Sequence, residues 1–187
     1  MKNKLSFCYC FCFCLSFSNP IFSQQRPNKE EGEESRHQLT LVISHFHITE
    51  GADENGNSKW IVVPSWGFDY NYWITEHWAI GLHTDIMIED FSVKDKGEDD
   101  KVIERTKPFA AVPAAVFKPK EHSSFIIGMG AEFASEGNFA LTRLGYEYGW
   151  ELPKLWELSA GLTYDIKWNV YDTWVMGLGV SKFFGGK

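Results

Sequence analysis

From Gln38 onward, apolar and polar residues alternate with a period of two. That period puts every second side chain on the same face of an extended strand, so it predicts β-structure. Eight runs carry it, near 38–49, 59–74, 77–91, 102–117, 124–134, 138–150, 155–168 and 172–184. Most are longer than the usual globular strand of about 5–6 residues. They suit a tilted strand crossing a bilayer, which takes about 9–11 residues. No helical stripe of useful length and no internal repeat is present.

The two faces of each run differ in kind. One face of the seventh run is Trp156, Leu158, Ala160, Leu162, Tyr164, Ile166 and Trp168, against Leu155, Glu157, Ser159, Gly161, Thr163, Asp165 and Lys167. The third sets Ile80, Leu82, Thr84, Ile86 and Ile88 against Gly81, His83, Asp85, Met87 and Glu89. The apolar face is continuous and ends in aromatics, whereas the other mixes glycine with charge. In a soluble barrel the glycines would be wasted on an open surface. In a small membrane barrel the apolar face meets lipid, and eight strands leave an interior only wide enough for side chains to fill. Aromatic rings at both strand ends then form the interfacial girdles. A closed barrel is required, because every backbone group in lipid must be paired.

Connection lengths agree. The stretches 50–58 ("EGADENGNS") and 92–101 ("SVKDKGEDDK") are long and polar, while those at 75–76, 118–122 and 151–154 are short. Long loops on one side and short periplasmic turns on the other are typical of outer-membrane barrels. The outer connections at 135–137 and 169–171 are short, so the asymmetry is partial. An even strand count puts both ends of the barrel in the periplasm. Pro64, Pro108 and Pro113 fall inside the second and fourth runs. Proline removes a ladder donor, so bulges are expected there.

The N-terminal segment changes the picture of compartment. Met1 to Lys4 is short and basic, Leu5 to Phe17 is apolar and uncharged, and Ser23 precedes Gln24 after a helix-breaking Asn19-Pro20. This is the layout of a secretory signal peptide over 1–23, and the apolar run is too short for a spanning helix of about 20 residues. All four cysteines lie in its "FCYCFCFC" stretch. They read as hydrophobic filler, since C-x-C spacing without further ligands does not suit zinc. Cleavage after Ser23 would leave a mature chain with no cysteine and no disulfide. Residues 24–37 are polar, charged and without periodicity, and read as a flexible leader. The barrel is then 38–187.

The chain has 187 residues and a formal net charge of -7. Without Lys2 and Lys4, 16 basic residues face 25 acidic ones, a mature charge of -9. Such a surface repels nucleic acid, which needs a basic patch.

These eight runs, their aromatic ends and the closing strand "TWVMGLGVSKFF" resemble the small eight-stranded outer-membrane β-barrel proteins of Gram-negative bacteria, over roughly 38–187. In this sequence Phe184 is followed by Gly185-Gly186-Lys187, so the terminal aromatic is not the last residue. The resemblance implies an all-β, antiparallel, up-and-down transmembrane barrel in the outer membrane. It implies partners in outer-membrane lipid and the barrel assembly machinery, and a monomer. It names no function, because this barrel type serves adhesion, envelope integrity and lipid chemistry alike.

Combining the polar faces places Asp69, His83, Asp85, Glu104, Glu132, Arg143, Glu147, Asp165 and Lys167 in the interior, with Asn71, Glu89 and Glu157. Bare carboxylates there are costly, so they must be paired, hydrated or protonated. Arg143, with its fork of donors, is the expected hub for Glu104, Glu132 or Glu147. The network is expected to fill and rigidify the barrel, since intramembrane charges face inward and pair. A proton or cation route is the sharper alternative.

His45-x-His47 shares a strand face but has no evident third ligand, so no metal or other cofactor is expected. Ser44 and His45 are adjacent and point to opposite faces, and "HSS" at 122–124 sits at a turn. Neither gives a nucleophile and base within reach, so no enzyme is expected. The expected role is structural or in surface interaction, through the loops at 50–58 and 92–101. Two alternatives remain: a soluble periplasmic barrel with an apolar ligand, which would bury Trp156, Tyr164 and Trp168, and an outer-membrane lipid-modifying enzyme.

Overall fold

A computed structural model describes residues 36–53, 55–96 and 101–185. The expected signal peptide and nearly all of the leader lie outside the described residues. Ten strands follow in order: β1 (His37–Ile48), β2 (Ile61–Trp73), β3 (Trp78–Met87), β4 (Phe91–Lys94), β5 (Val102–Arg105), β6 (Phe109–Lys120), β7 (Ser123–Ala134), β8 (Gly137–Leu152), β9 (Trp156–Lys167) and β10 (Tyr171–Phe184). Eight of them close into an antiparallel barrel in the order β1-β10-β9-β8-β7-β6-β3-β2. β4 and β5 form a separate two-stranded ribbon. β1 begins at His37, one residue inside the expected leader.

The fourth sequence run therefore splits. Its start, Val102–Arg105, belongs to the ribbon, and the barrel strand begins only at Phe109. Lys107 between them has φ 39, a left-handed residue that breaks the extended path. The ribbon is the middle of the long connection 88–108. It is tied to the first connection by Ala52 N to Ser92 O (2.8 Å) and Lys94 N to Glu50 O (2.7 Å), and to the last by Lys96 N to Val170 O (3.0 Å). Lys96 Nζ adds ion pairs to Asp172 (2.6 Å) and Glu50 (3.0 Å). Three short connections, 74–77, 121–122 and 153–155, lie at the opposite end, with the ends of β1 and β10.

The expected bulges at the three prolines are not found. The β1–β2 register runs unbroken through His45↔Pro64, and Pro108 precedes β6. At Pro113 the β6–β7 ladder loses paired positions but keeps its register, as Ala111↔Ala131 and Ala114↔Gly128 show. The register shift lies instead between Phe117 and Lys120, the stretch that holds Pro119. A proline without a ladder partner on one side costs little, so the strand need not bulge to accept it.

Outward and inward faces follow the sequence alternation. Leu178 and Met129 are 62% and 60% exposed, and Trp156, Trp168, Ile80 and Leu144 are likewise exposed. Their inward neighbours Ser159, Asp165 and Arg143 are buried. A belt of exposed apolar side chains of this extent has no place in water. It is the lipid-facing band of a membrane barrel, and the soluble-barrel alternative, which needed Trp156, Tyr164 and Trp168 buried, is overturned: both tryptophans are exposed and Tyr164 is half-buried. Glycine serves close strand approach: a Cβ at Gly130 would strike the Ala111 carbonyl, and one at Gly81 the Tyr70 carbonyl.

Candidate functional site

The candidate site is the lumen, and it is filled in three levels. At the outer mouth, Phe91 and Val93 of the ribbon pack against Phe46, Ile48, Met87 and Tyr171 of the barrel wall. Ile103 packs against the same cluster. The ribbon thus lies apolar side down over the barrel end.

Arg105 reaches below this apolar layer. It is fully buried, donates to Glu132 Oε1 through Nε (3.1 Å) and Nη2 (2.6 Å), and to the Gly137 carbonyl through Nη1 (2.7 Å). Its guanidinium stands 4.3 Å from the Phe139 ring centre. Tyr171 donates to the same Glu132 oxygen at 2.6 Å, and Lys167 Nζ lies 3.5 Å from the other. Lys167 also donates to Thr173 Oγ1 at 2.7 Å.

At mid-lumen Arg143 on β8 faces Asp165 on β9 directly. Nε and Nη2 donate to its two oxygens, each at 2.7 Å. Nη2 also lies 2.7 Å from Asp85 Oδ2 on β3, across the lumen. The upper two levels hold Arg105, Arg143 and Lys167 against Glu132, Asp85 and Asp165, three charges of each sign. Such balance is what burial demands, because an unpaired ion in low dielectric is expensive.

The inner level is more polar and less balanced. Gln38 is its centre: Nε2 donates to Glu157 (3.3 Å) and Ser181 (3.2 Å), while Oε1 accepts from Asn71 (3.4 Å) and Trp73 (3.0 Å). Lys118 pairs with Glu157 at 3.2 Å. His83 Nε2 is 3.0 Å from Asn71 Oδ1, and Asp69 Oδ1 accepts the Thr84 amide at 3.0 Å. Apart from Ser181 and Thr84, these groups line a cavity of about 20 Å³ together with Glu147, room for about one water.

Of the residues placed inside by alternation, Asp69, His83, Asp85, Glu132, Arg143, Glu147, Asp165 and Lys167 all line the lumen or its inner cavity. Glu104 does not: it is exposed on β5, and its neighbour Arg105 turns in. Glu89 is also exposed, beyond the end of β3. Arg143 is a hub, but its partners are Asp165 and Asp85 rather than Glu104, Glu132 or Glu147. Sequence reading missed Arg105, Gln38, Lys118 and Tyr171. Gln38 and Lys118 could have been found from their parity with the inward positions of their strands.

Little here has the form of a reactive centre. Ser44 Oγ bonds Ser65 Oγ at 2.6 Å inside the barrel, while His45 is exposed on the outward face. His122 Nδ1 is 2.9 Å from the Gly149 carbonyl. His47 packs edge-on to Trp60, ring centres 6.2 Å apart.

No protein-family model matches the chain, and no curated protein does. Solved structures do match. Ail, the attachment invasion locus protein of Yersinia pestis, is 15% identical with a TM-score of 0.50, over 79% of this chain and 99% of that one. A second structure of Ail, in complex with the heparin analogue sucrose octasulfate, gives 0.50 at 14% identity, with the same coverage. The outer membrane protein OprG of Pseudomonas aeruginosa gives 0.49 at 14%, over 82% and 99%. At these identities the likeness to Ail speaks for architecture, and it agrees with the closed barrel: the chain has the fold of the small eight-stranded outer-membrane β-barrels.

Proposed function

We propose that the protein is exported by its N-terminal signal, inserted by the barrel assembly machinery, and stands in the outer membrane as a sealed monomeric barrel. Its role is structural or in surface interaction, carried by the outer connections, with no catalysis and no through-pore. The observation that carries this reading is the stacking of the Arg105–Glu132 and Arg143–Asp165–Asp85 layers beneath the apolar mouth. An ion crossing the barrel would have to displace all three.

The outer connections 49–60 and 88–108 together hold ten acidic against six basic residues. That composition repels a polysulfated sugar such as the heparin analogue bound in the second Ail structure, and favours a cationic or uncharged partner. Planar-bilayer recording of the refolded barrel tests the sealed lumen. The expected trace is flat at the lipid baseline. Regular unitary steps would contradict the reading and favour an ion route past Arg143.

A further inference from the structure

On the lipid-facing side, β3, β6, β7 and β8 enclose an apolar groove of about 310 Å³. Register explains it. One outward row across these strands, near the short-turn end, is Trp78–Phe117–Phe125–Tyr146. The next row into the membrane is Ile80–Ala115–Ile127–Leu144. Ala115 has a single methyl where its neighbours carry branched chains, so the row is dented at β6. The dent continues along the strand, whose next outward residues are Pro113 and Ala111, and Ala111 faces the small Ala131.

The groove has a defined mouth. Trp78 packs on Phe117 at 4.6 Å between ring centres, and Phe125 on Tyr146 at 5.4 Å. Beyond Phe117 the shifted register sets exposed Lys120 opposite Ser123, whose hydroxyl is 3.1 Å from the Tyr146 phenol. The Lys120 ammonium makes no ion pair among the described residues.

We propose that this groove binds an acyl chain of an anionic phospholipid in the periplasmic leaflet, with the lipid phosphate held by Lys120 and the Ser123 and Tyr146 hydroxyls. The choice of leaflet rests on the outer-membrane reading above, in which the short turns face the periplasm. Three features select the occupant. The walls lie within the lipid band and are apolar, so a hydrocarbon chain fills them without stranding a polar group. The mouth opens at the aromatic girdle, where headgroups begin. Lys120 brings a positive charge to it, beside Glu121 of the turn, and the phosphate is negative.

Native mass spectrometry of the barrel released from nanodiscs of mixed phosphatidylglycerol and phosphatidylcholine tests this. The wild type is expected to retain phosphatidylglycerol in preference to phosphatidylcholine. Lys120→Gln is expected to reduce that preference about fivefold, the effect of one basic charge near an anionic surface. Ala115→Phe fills the groove and is expected to abolish retention of both lipids. Heat-dependent gel mobility of both variants shows that they remain folded. Equal retention by wild type and Ala115→Phe overturns the proposal. So does a dimer that Ala115→Phe splits, because a second copy would then be the occupant. Retention in nanodiscs does not depend on the host membrane. Absence of the wild type from the outer membranes of a Gram-negative host would therefore contradict the localisation alone.

Discussion

Arg143 stands directly opposite Asp165 in the β8–β9 ladder and holds both of its carboxylate oxygens at 2.7 Å, while the same guanidinium nitrogen lies 2.7 Å from Asp85 across the lumen. One cation thus ties the β8–β9 wall to β3. Arg143→Leu leaves two buried carboxylates facing each other without the cation that pairs them. A loss of about 3–5 kcal/mol in unfolding free energy is expected, the size seen when one partner of a buried pair is removed. Adding Asp85→Asn and Asp165→Asn to Arg143→Leu restores much of it, because neither carboxylate is then left bare at that level. Urea unfolding in lipid vesicles, followed by tryptophan fluorescence, measures both. An unchanged midpoint for Arg143→Leu would remove the guanidinium from the account.

Arg105 anchors the ribbon, so its loss should free the mouth before it unfolds the barrel. Arg105→Ala strands Glu132 with Tyr171 and Lys167 as its remaining partners. Limited proteolysis is expected to nick the 88–108 connection several times faster in Arg105→Ala than in the wild type, with the barrel strands still protected. Equal nicking rates would mean that the apolar contacts of Phe91 and Val93 hold the ribbon alone.

Glu136, in the outer turn between β7 and β8, is tethered to the β5–β6 connection. Ser135 Oγ (2.6 Å) and Thr106 Oγ1 (2.7 Å) donate to its Oε1, and the Thr106 amide donates to Oε2 (3.2 Å). These bonds, that from Ser135 foremost, lower its pKa from 4.5 to about 2. The folded value lies below the unfolded one. The tether is therefore fully present above about pH 4.5 and is lost as pH falls through about 2. Carboxyl-carbon NMR is expected to show Glu136 still ionised at about pH 3. Ser135→Ala is expected to move its midpoint back toward the ordinary carboxylate value, and a midpoint unmoved by that change would contradict the tether.

Gly130 allows β7 to pass against the Ala111 carbonyl of β6. Gly130→Val has no room on that side and is expected to slow assembly into vesicles and lower the yield of the heat-modifiable form. Ile127→Val, on the exposed face of the same strand, is expected to leave both unchanged. Equal yields for the two variants would show that the strands separate there at little cost.

Strand faces were legible in the sequence because lipid on one side and a packed lumen on the other impose opposite chemistry at alternate positions. Trp156 and Leu158 against Glu157 and Ser159 could be sorted with no knowledge of the fold. Period two cannot tell a barrel strand from a ribbon, so 102–105 was joined to the strand that follows. Glu104 shares the parity of the inward Ala110, Val112 and Ala114, so an unbroken strand would place it inside. The left-handed Lys107 resets that parity, and Arg105 turns in instead. Partner choice was illegible for a different reason. Alternation gives the face of a residue but not its height, and height depends on inter-strand register. Glu147 lies four positions along β8 from Arg143, whereas Asp165 is directly opposite it. The lipid groove is hidden likewise, since Ala115 becomes a dent only once Ile80 and Ile127 stand beside it.

The most direct test of the account is an accessibility scan of β10 in a chain without the signal segment, which then has no native cysteine. Single cysteines at Trp174, Met176, Leu178 and Val180, and at Thr173, Val175 and Ser181, are spin-labelled in lipid vesicles. Collision with oxygen and with a water-soluble nickel complex is then measured. The account predicts that oxygen reaches labels at 174, 176, 178 and 180 and that the nickel complex does not, while labels at 173, 175 and 181 are shielded from both. Nickel access to the first set, or an absence of alternation, would contradict a lipid-facing exterior around a filled lumen.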